Sequence, residues 1–331
     1  MYTVGIDVGS KELVMVIRYK GKNHKARSFN NTHKGHAQIV KTLCAKKGDL
    51  TICLEATGVY HFDLAVALSQ AKLNLMVINP KAAHHYFEAL MTRSKTDQVD
   101  AAVLAQYAES MPFKAWQMPD SKILQLRAYS RRIAALTKSK TQMKNQLHAM
   151  VSANATPEVV IEEIRESIAF FERQVQRLKE HALEMIYSDE KLKFSFEIVT
   201  SIKGVAEASA IQLLSEVLIL PKDMKDRQWV AFAGLDPRQH SSGTSVSKKT
   251  RISKTGNAYL RQALYMPALC AAHTDPYVKA YYQHLIEDQG LKKIQALCAV
   301  MRKLLHAIHA MLKNKVYFDN TRFYNMETQQ Q

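Results

Sequence analysis

The chain has 331 residues, 47% of them apolar and 23% charged, enough to build a sizeable core and unlike a disordered polymer. Lys and Arg outnumber Asp and Glu by 46 to 30, a formal net charge of +16, so the expected partners are polyanions: nucleic acid or an acidic surface. With 11 Gly and 8 Pro the chain is poor in turn formers, which argues against an all-β protein, and no apolar run of about 18 residues suggests a membrane span.

In chain order, residues 2–7 form a short apolar strand, 12–18 (ELVMVIR) a second, and 25–29 a candidate third. The Gly21 turn between them suits an antiparallel meander. The opening reaches Asp7 and Lys11 too early for a secretory signal, so the expectation is an intracellular protein with reduced thiols. Residues 33–47 read as a helix, 50–55 (LTICLE) as a strand, and 60–72 as a helix with Leu64, Ala67, Leu68 and Ala71 on one face. A strand over 73–79 stops at Pro80, and helices over 81–91 and 96–110 follow. Strands alternating with helices give a sheet with parallel members, which the leading hairpins make mixed.

Residues 120–187 change character. Leu126, Tyr129, Ile133, Leu136, Lys140, Met143, Leu147 and Met150 follow heptad spacing. After a break at 152–157 (SANATP), Ile161, Ile164, Ile168, Phe171, Val175, Leu178, Ala182 and Met185 repeat it. The pattern fits an antiparallel helical hairpin, an intermolecular coiled coil, or two helices of a bundle. From 195 to 320 the chain reads as mostly helical, with helices over 206–218, 225–232, 256–272, 276–288 and 291–314 and an irregular basic segment over 236–256. A polar tail from Thr321 is expected to fray. Cys44, Cys53, Cys270 and Cys298 form no Cys-x-x-Cys pair and read as small core residues rather than zinc ligands.

Two places could carry chemistry. Asp7 and Glu55 each end a strand, and Asp97 and Asp100 share one helical face, so four carboxylates can meet at one sheet edge. Such a set needs cations to stay ionised, and oxygen-only donors favour Mg²⁺ or Mn²⁺. Taken singly, a strand-end acid is more often a turn or cap than a ligand, an acid pair at a helix start usually complements the helix dipole, and Thr96 is a natural N-cap ahead of Asp97 and Asp100. The IDVGS start also suits a phosphate loop of the sugar-kinase and actin type, but no later Gly-rich cluster supports it.

The second place is the stretch from Pro237 to Thr274, which holds Arg238, Lys248, Lys249, Arg251, Lys254 and Arg261 and no carboxylate. These cations are the candidate nucleic-acid contacts. Ser241, Ser242, Thr244, Ser245 and Ser247 lie among them, as a possible nucleophile or as a solvated loop. Upstream, SIKGVAEASAIQLLSEV (201–217) resembles a helix-hairpin-helix element, although Ala206 replaces its usual second Gly; a plain helix–helix turn fits equally. His84, His85 and His240 lie near these motifs as proton carriers or surface polar groups.

The motifs GID (5–7), LEATGVY (54–60), VINP (77–80), KTDQVDA (95–101), SIKGV (201–205), FAGLDPR (232–238), SSG (241–243), SKTG (253–256) and LRQALYMPA (260–268) occur in one order. Together they resemble the insertion-sequence 110/1111-type transposases, the DEDD recombinases, over roughly residues 3–315. The resemblance implies an α/β N-terminal RNase H/RuvC-like mixed sheet over 1–112 and a helical coiled-coil connector over 113–190. It implies a mainly α C-terminal transposase domain over 191–320, with a tail over 321–331. It implies catalysis by metal ligands Asp7, Glu55, Asp97 and Asp100, holding Mg²⁺ (Mn²⁺ possible), and by a serine nucleophile, Ser242 by motif spacing with Ser241 as its neighbour. The expected partners are donor and target DNA, a guide (bridge) RNA from the element's non-coding end, and further copies of the chain, dimer to tetramer, with no membrane. The expected place of action is the bacterial cytoplasm, at the nucleoid. Alternatives are a protein-guided site-specific DNA invertase and a RuvC-like junction-resolving nuclease.

Overall fold

The computed structural model describes residues 1–56, 58, 60–91, 94, 96–153, 155–242 and 246–326, with 239–242 and 246–249 described by their backbone alone. The chain divides into two compact units, Met1–Met118 and Pro119–Gln331.

The first unit is built on a mixed sheet. Its strands are β1 (Tyr2–Val8), β2 (Glu12–Tyr19), β3 (Lys22–Asn23), β4 (Arg27–Asn30), β5 (Leu50–Glu55) and β6 (Asn74–Ile78). The order is β3-β2-β1-β5-β6, with β4 also paired to β2. β1–β2 and the short strands beyond are antiparallel, whereas β1–β5 and β5–β6 are parallel. The expected third strand is in fact two short ones, because the turn at Lys20–Gly21 places Lys22–Asn23 back on β2 before the chain leaves it and returns as β4.

Strand alternation sorts the side chains between two layers. Val4, Ile6, Leu13, Ile52 and Leu54 face helices α1 (His33–Cys44) and α2 (Phe62–Gln70), packing on Ile39, Leu43, Leu64 and Leu68. The other face carries Gly5, Val14, Val16, Cys53 and Met76 and meets α3 (Pro80–Ala89) and α4 (Asp97–Ser110) through Ala83, Ala101, Leu104 and Ala108. Gly5 is what lets α4 approach. A β-carbon there would lie 2.0 Å from the Ala101 carbonyl oxygen.

The second unit is helical apart from one hairpin. Helices α5 (Ser121–Val151) and α6 (Glu158–Tyr187) break where the sequence predicts, at 152–157. Lys140 pairs with Glu172, the Tyr129 ring approaches His181, and Lys122 pairs with Asp189 just beyond α6, so the two helices run antiparallel along each other. Leu126, Ile133, Leu136, Ile161, Ile168 and Ala182 are buried, while Met150 near the turn stays exposed. The sequence reading did not mark α7 (Glu190–Thr200), whose start is capped by Asp189 and whose Leu192, Phe196 and Val199 are buried.

Around these pack α8 (Glu207–Val217), α9 (Asp226–Ala233), α10 (Ala258–Thr274), α11 (Pro276–Glu287) and α12 (Lys293–Asn314) over one continuous core. The segment expected to be irregular is largely a β-hairpin, β7 (Pro237–Ser242) paired antiparallel with β8 (Val246–Ile252). Its sequence offers only Val246 and Ile252 as apolar residues, so no alternation marks the strands. Two further expectations change. Cys44 and Cys270 are exposed and only Cys53 is fully buried. The chain past Thr321 does not fray at once, since Phe323 is buried against the helical core. The 201–204 turn is packed as a helix–helix corner, where a β-carbon on Gly204 would sit 3.0 Å from the Pro267 carbonyl. Among the described residues, no helix is long and apolar enough to cross a membrane.

Candidate active site

Ile6 lies opposite Leu54 on neighbouring parallel strands, so the next residues, Asp7 and Glu55, stand side by side at the ends of β1 and β5. Asp7 shares the face of Gly5, and Glu55 that of Cys53, two residues back in each strand. That is the face covered by α4, whose first turn carries Asp97 and Asp100. Thr96 caps this helix, its hydroxyl accepting from the Val99 amide at 3.3 Å, so the cap expected as the alternative is present alongside the acid set.

Asp7 feels the other three acids. The Asp7 carboxyl is pushed up to about 6, first by burial and then by the negative charges of Asp100, Asp97 and Glu55, against the help of a backbone hydrogen bond from Val8. Among the described residues, no three His, Cys, Asp or Glu side chains stand close enough to enclose an ion. The donor chemistry nevertheless fits a hard divalent cation. The set is all oxygen, and the Asp7 carboxyl is raised by burial and by its neighbours' charge, which a cation would relieve. His84 and His85 are exposed on α3 beside Glu88, at 3.4 and 3.1 Å, and form no part of this cluster.

In the second unit, Ser241 and Ser242 end β7 opposite Ser247 and Val246. Their side chains lie outside the described residues, as do those of His240, Ser247, Lys248 and Lys249; Thr244 and Ser245 lie wholly outside them. Arg238, Arg251 and Lys254 are exposed at the base of the hairpin. Arg261 is half-buried and donates to the Ala233 carbonyl at 2.9 Å, so at least one of its N–H groups is already used within the fold.

Two groups that sequence reasoning missed hold this region. Ser253 donates through its hydroxyl to the Asp236 carboxylate at 2.6 Å, and its amide donates to the Asp236 carbonyl at 2.8 Å. These bonds clasp FAGLDPR to SKTG at the foot of the hairpin. Glu216 is 1% exposed and accepts from Arg127, Arg131 and Asn257, joining α5 and α8 to the N-cap of α10. Burial drives its pKa up, but the hydrogen bonds from Arg131 and Arg127 and the Arg127 charge outweigh this, and the net shift is downward. A glutamate beside Leu213, Leu214 and Val217 in the run AIQLLSEV was the available signal.

Comparisons with known proteins cover most of the chain. A DEDD-type IS110 family model described as "Transposase" matches residues 4–154. A second, described as "Transposase IS116/IS110/IS902 family", matches residues 196–283. The chain is 25% identical to a pilin gene-inverting protein of Moraxella lacunata over 296 residues, 88% of this chain and 90% of the relative. The pilin gene-inverting protein of Moraxella bovis gives the same figures. A 43.6 kDa protein of insertion element IS110 from Streptomyces coelicolor is 28% identical over 123 residues, 37% of this chain and 30% of the relative.

Proposed function

The chain belongs to the IS110-type transposases, DNA transposase/recombinase enzymes, and from that premise we propose that it is a metal-assisted recombinase that cuts and rejoins DNA through a serine, directed by a structured non-coding RNA. The observation that carries the reading is the placement of Asp7 and Glu55 at adjacent strand ends on the sheet face covered by α4, whose first turn carries Asp97 and Asp100. In this reading the first unit is a RuvC-like domain, α5 and α6 form a coiled-coil connector, and the remainder is the transposase domain.

Asp7, Glu55, Asp97 and Asp100 would hold Mg²⁺ or Mn²⁺. When bound, the ion supplies Lewis acidity to a phosphodiester oxygen and stabilises charge on the oxygen that leaves. The Ser242 hydroxyl attacks phosphorus, a P–O bond to serine forms, and one sugar–oxygen–phosphorus bond breaks to free a strand end. The serine proton passes, by way of solvent, to the sugar oxygen that leaves. A sugar hydroxyl of the strand to be joined then attacks the phosphoserine and releases the serine, so the bond count is unchanged and no nucleotide cofactor is consumed. Arg238, Lys248, Lys249, Arg251 and Lys254 supply phosphate contacts, Arg261 adding to them with the N–H groups its fold contact leaves. A charge excess of +16 suits an RNA partner as well as DNA. The exposed Met150, Val151, Val159 and Phe170 on the α5–α6 hairpin support assembly of copies, dimer to tetramer.

A second reading, a site-specific DNA invertase that needs no guide, is favoured by the similarity to pilin gene-inverting proteins across most of both chains. The two separate in one experiment. The protein is purified from cells that also carry the non-coding DNA flanking its gene, and bound RNA is sequenced. One discrete structured species from the flank supports guidance, and recombination should then follow that RNA's sequence. A random RNA mixture, with recombination proceeding without it, favours the invertase.

A further inference from the structure

Behind the acid cluster a single side chain joins the two loops that follow the acid-bearing strands. Asn31 stands at the joint between β4 and α1, where Thr32 caps the helix. Its Nδ2 donates to the Gly9 carbonyl at 2.9 Å and to the Tyr60 carbonyl at 3.1 Å. Gly9 follows Asp7 by two residues, and Tyr60 lies in the connection that leaves Glu55. Both amide protons of Asn31 are therefore spent, one on each loop.

The amide is itself held. Its Oδ1 accepts from His36 Nε2 at 2.7 Å, which fixes the imidazole as the Nε2–H tautomer and fixes which way the amide points. His36 is 6% exposed on α1, and burial keeps it below its ordinary pKa against the opposing pull of Asp63. The Asn31 backbone N–H donates to the Lys11 carbonyl at 2.8 Å, and the Gly9 N–H closes the same turn on the Glu12 carbonyl at 2.9 Å. Asn31 belongs to the layer of α1, and the acids face α4, so it supports the site from the far side of the sheet.

We propose that Asn31, oriented by His36, is a positioning residue that sets the spacing of Asp7 and Glu55 by clasping the loops that follow them, and so tunes the divalent-ion affinity of the four-acid site. The inference rests on the metal reading above. The chemistry demands an amide. An aspartate would face two carbonyl oxygens with an acceptor, and an aliphatic side chain would leave both unbonded.

The full chain carries the test, in two measurements. Amide hydrogen exchange, without metal, reports the peptides around Gly9 and Tyr60. Mn²⁺ titration followed by water-proton relaxation reports metal affinity without recourse to catalysis. In Asn31→Asp both peptides should exchange about tenfold faster while the central strands keep their rates, and half-saturating Mn²⁺ should rise about tenfold, as expected for the loss of one or two hydrogen bonds. His36→Leu should move both in the same direction, and His36→Gln, which keeps an N–H donor, should restore them toward the parent. If Asn31→Asp fails to fold, the His36→Leu and His36→Gln pair carries the same comparison.

Unchanged exchange at both loops overturns the clasp. Faster exchange with parental Mn²⁺ affinity, in a protein whose Mn²⁺ binding Asp7→Asn abolishes, overturns the positioning role. Mn²⁺ binding that is indifferent to Asp7→Asn overturns the four-acid metal reading and the positioning role with it, and the exchange data then stand for the clasp alone.

Discussion

Gly5 and Ala101 bring the strand that carries Asp7 and the helix that carries Asp97 and Asp100 into backbone contact. A β-carbon on Gly5 would lie 2.0 Å from the Ala101 carbonyl oxygen and 2.3 Å from the Ala105 amide nitrogen. Both obstacles are backbone, so neither can swing aside. Gly5→Ala must push α4 off the sheet, lifting Asp97 and Asp100 away from Asp7 and Glu55. Overpacking of this kind costs about 1–3 kcal/mol or more. The expected outcome is a lower Tm together with at least a tenfold loss of recombination. A Gly5→Ala protein with parental Tm and activity would show that the close contact does not set the site.

Asp7 makes the acid site destabilising when empty. Its carboxyl is raised by burial, Asp100 and Asp97 to about 6, above its ordinary value of 3.8. The folded state therefore binds this proton more tightly than the unfolded chain does. Stability is lost as pH rises from about 4 to about 6 and is not regained above that. Asp7→Asn should raise the metal-free Tm near pH 7 and leave it nearly unchanged near pH 4. Mg²⁺ should stabilise the parent near pH 7 more than the variant. Equal metal-free Tm values for parent and variant at neutral pH would contradict the repulsion.

The neighbours' part in that shift is separable. Asp100→Asn removes the largest charge acting on Asp7 and should bring the Asp7 titration down, followed by carboxyl ¹³C shifts in the metal-free protein. Asp97→Asn should do so less, and Glu55→Gln least. Three identical midpoints would mean that burial alone raises Asp7.

How far the sequence could carry this depends on which signals are local. Asp7 and Glu55 at strand ends, and Asp97 with Asp100 three apart, are local patterns, and strand alternation places the first pair on the α4 face. Asn31 and Glu216 were invisible because their partners are distant in the chain: Tyr60 for Asn31, and Arg127 and Arg131 for Glu216. The β7–β8 ribbon escaped because its sequence lacks a repeating apolar side. Cys44 follows the buried Leu43 on α1 but falls outside the helix's inward stripe, which a count of apolar spacing alone did not resolve.

Glu216 gives the second unit the opposite response to acid. Burial opposes its ionisation, yet hydrogen bonds from Arg131 and Arg127 hold it below its ordinary range. A depressed folded value contributes stability above about pH 4.5, and that contribution disappears as pH falls through the folded value. Glu216→Gln leaves the two arginines without their carboxylate and should cost about 2 kcal/mol or more, somewhat less than a fully buried pair because both arginines reach solvent. Denaturant unfolding at neutral pH reads the loss. The deficit should shrink in acid, and a deficit that is constant from pH 7 to about pH 3 would remove the charge from the explanation.

In the proposed reaction Ser242 carries the covalent step, and one adduct assay separates it from its neighbour. With DNA ends and Mg²⁺ present, the parent should yield a protein–DNA adduct that survives denaturing electrophoresis, because a phosphoserine bond does not depend on the fold. Ser242→Ala should lose the adduct and strand exchange while still binding nucleic acid, since phosphate contacts come from the surrounding cations. Ser241→Ala should keep both. An adduct retained in Ser242→Ala and lost in Ser241→Ala would move the nucleophile by one residue. An adduct retained in both, or hydrolysed ends with no adduct in the parent, would remove the serine from the reaction and leave the four acids to act as a nuclease.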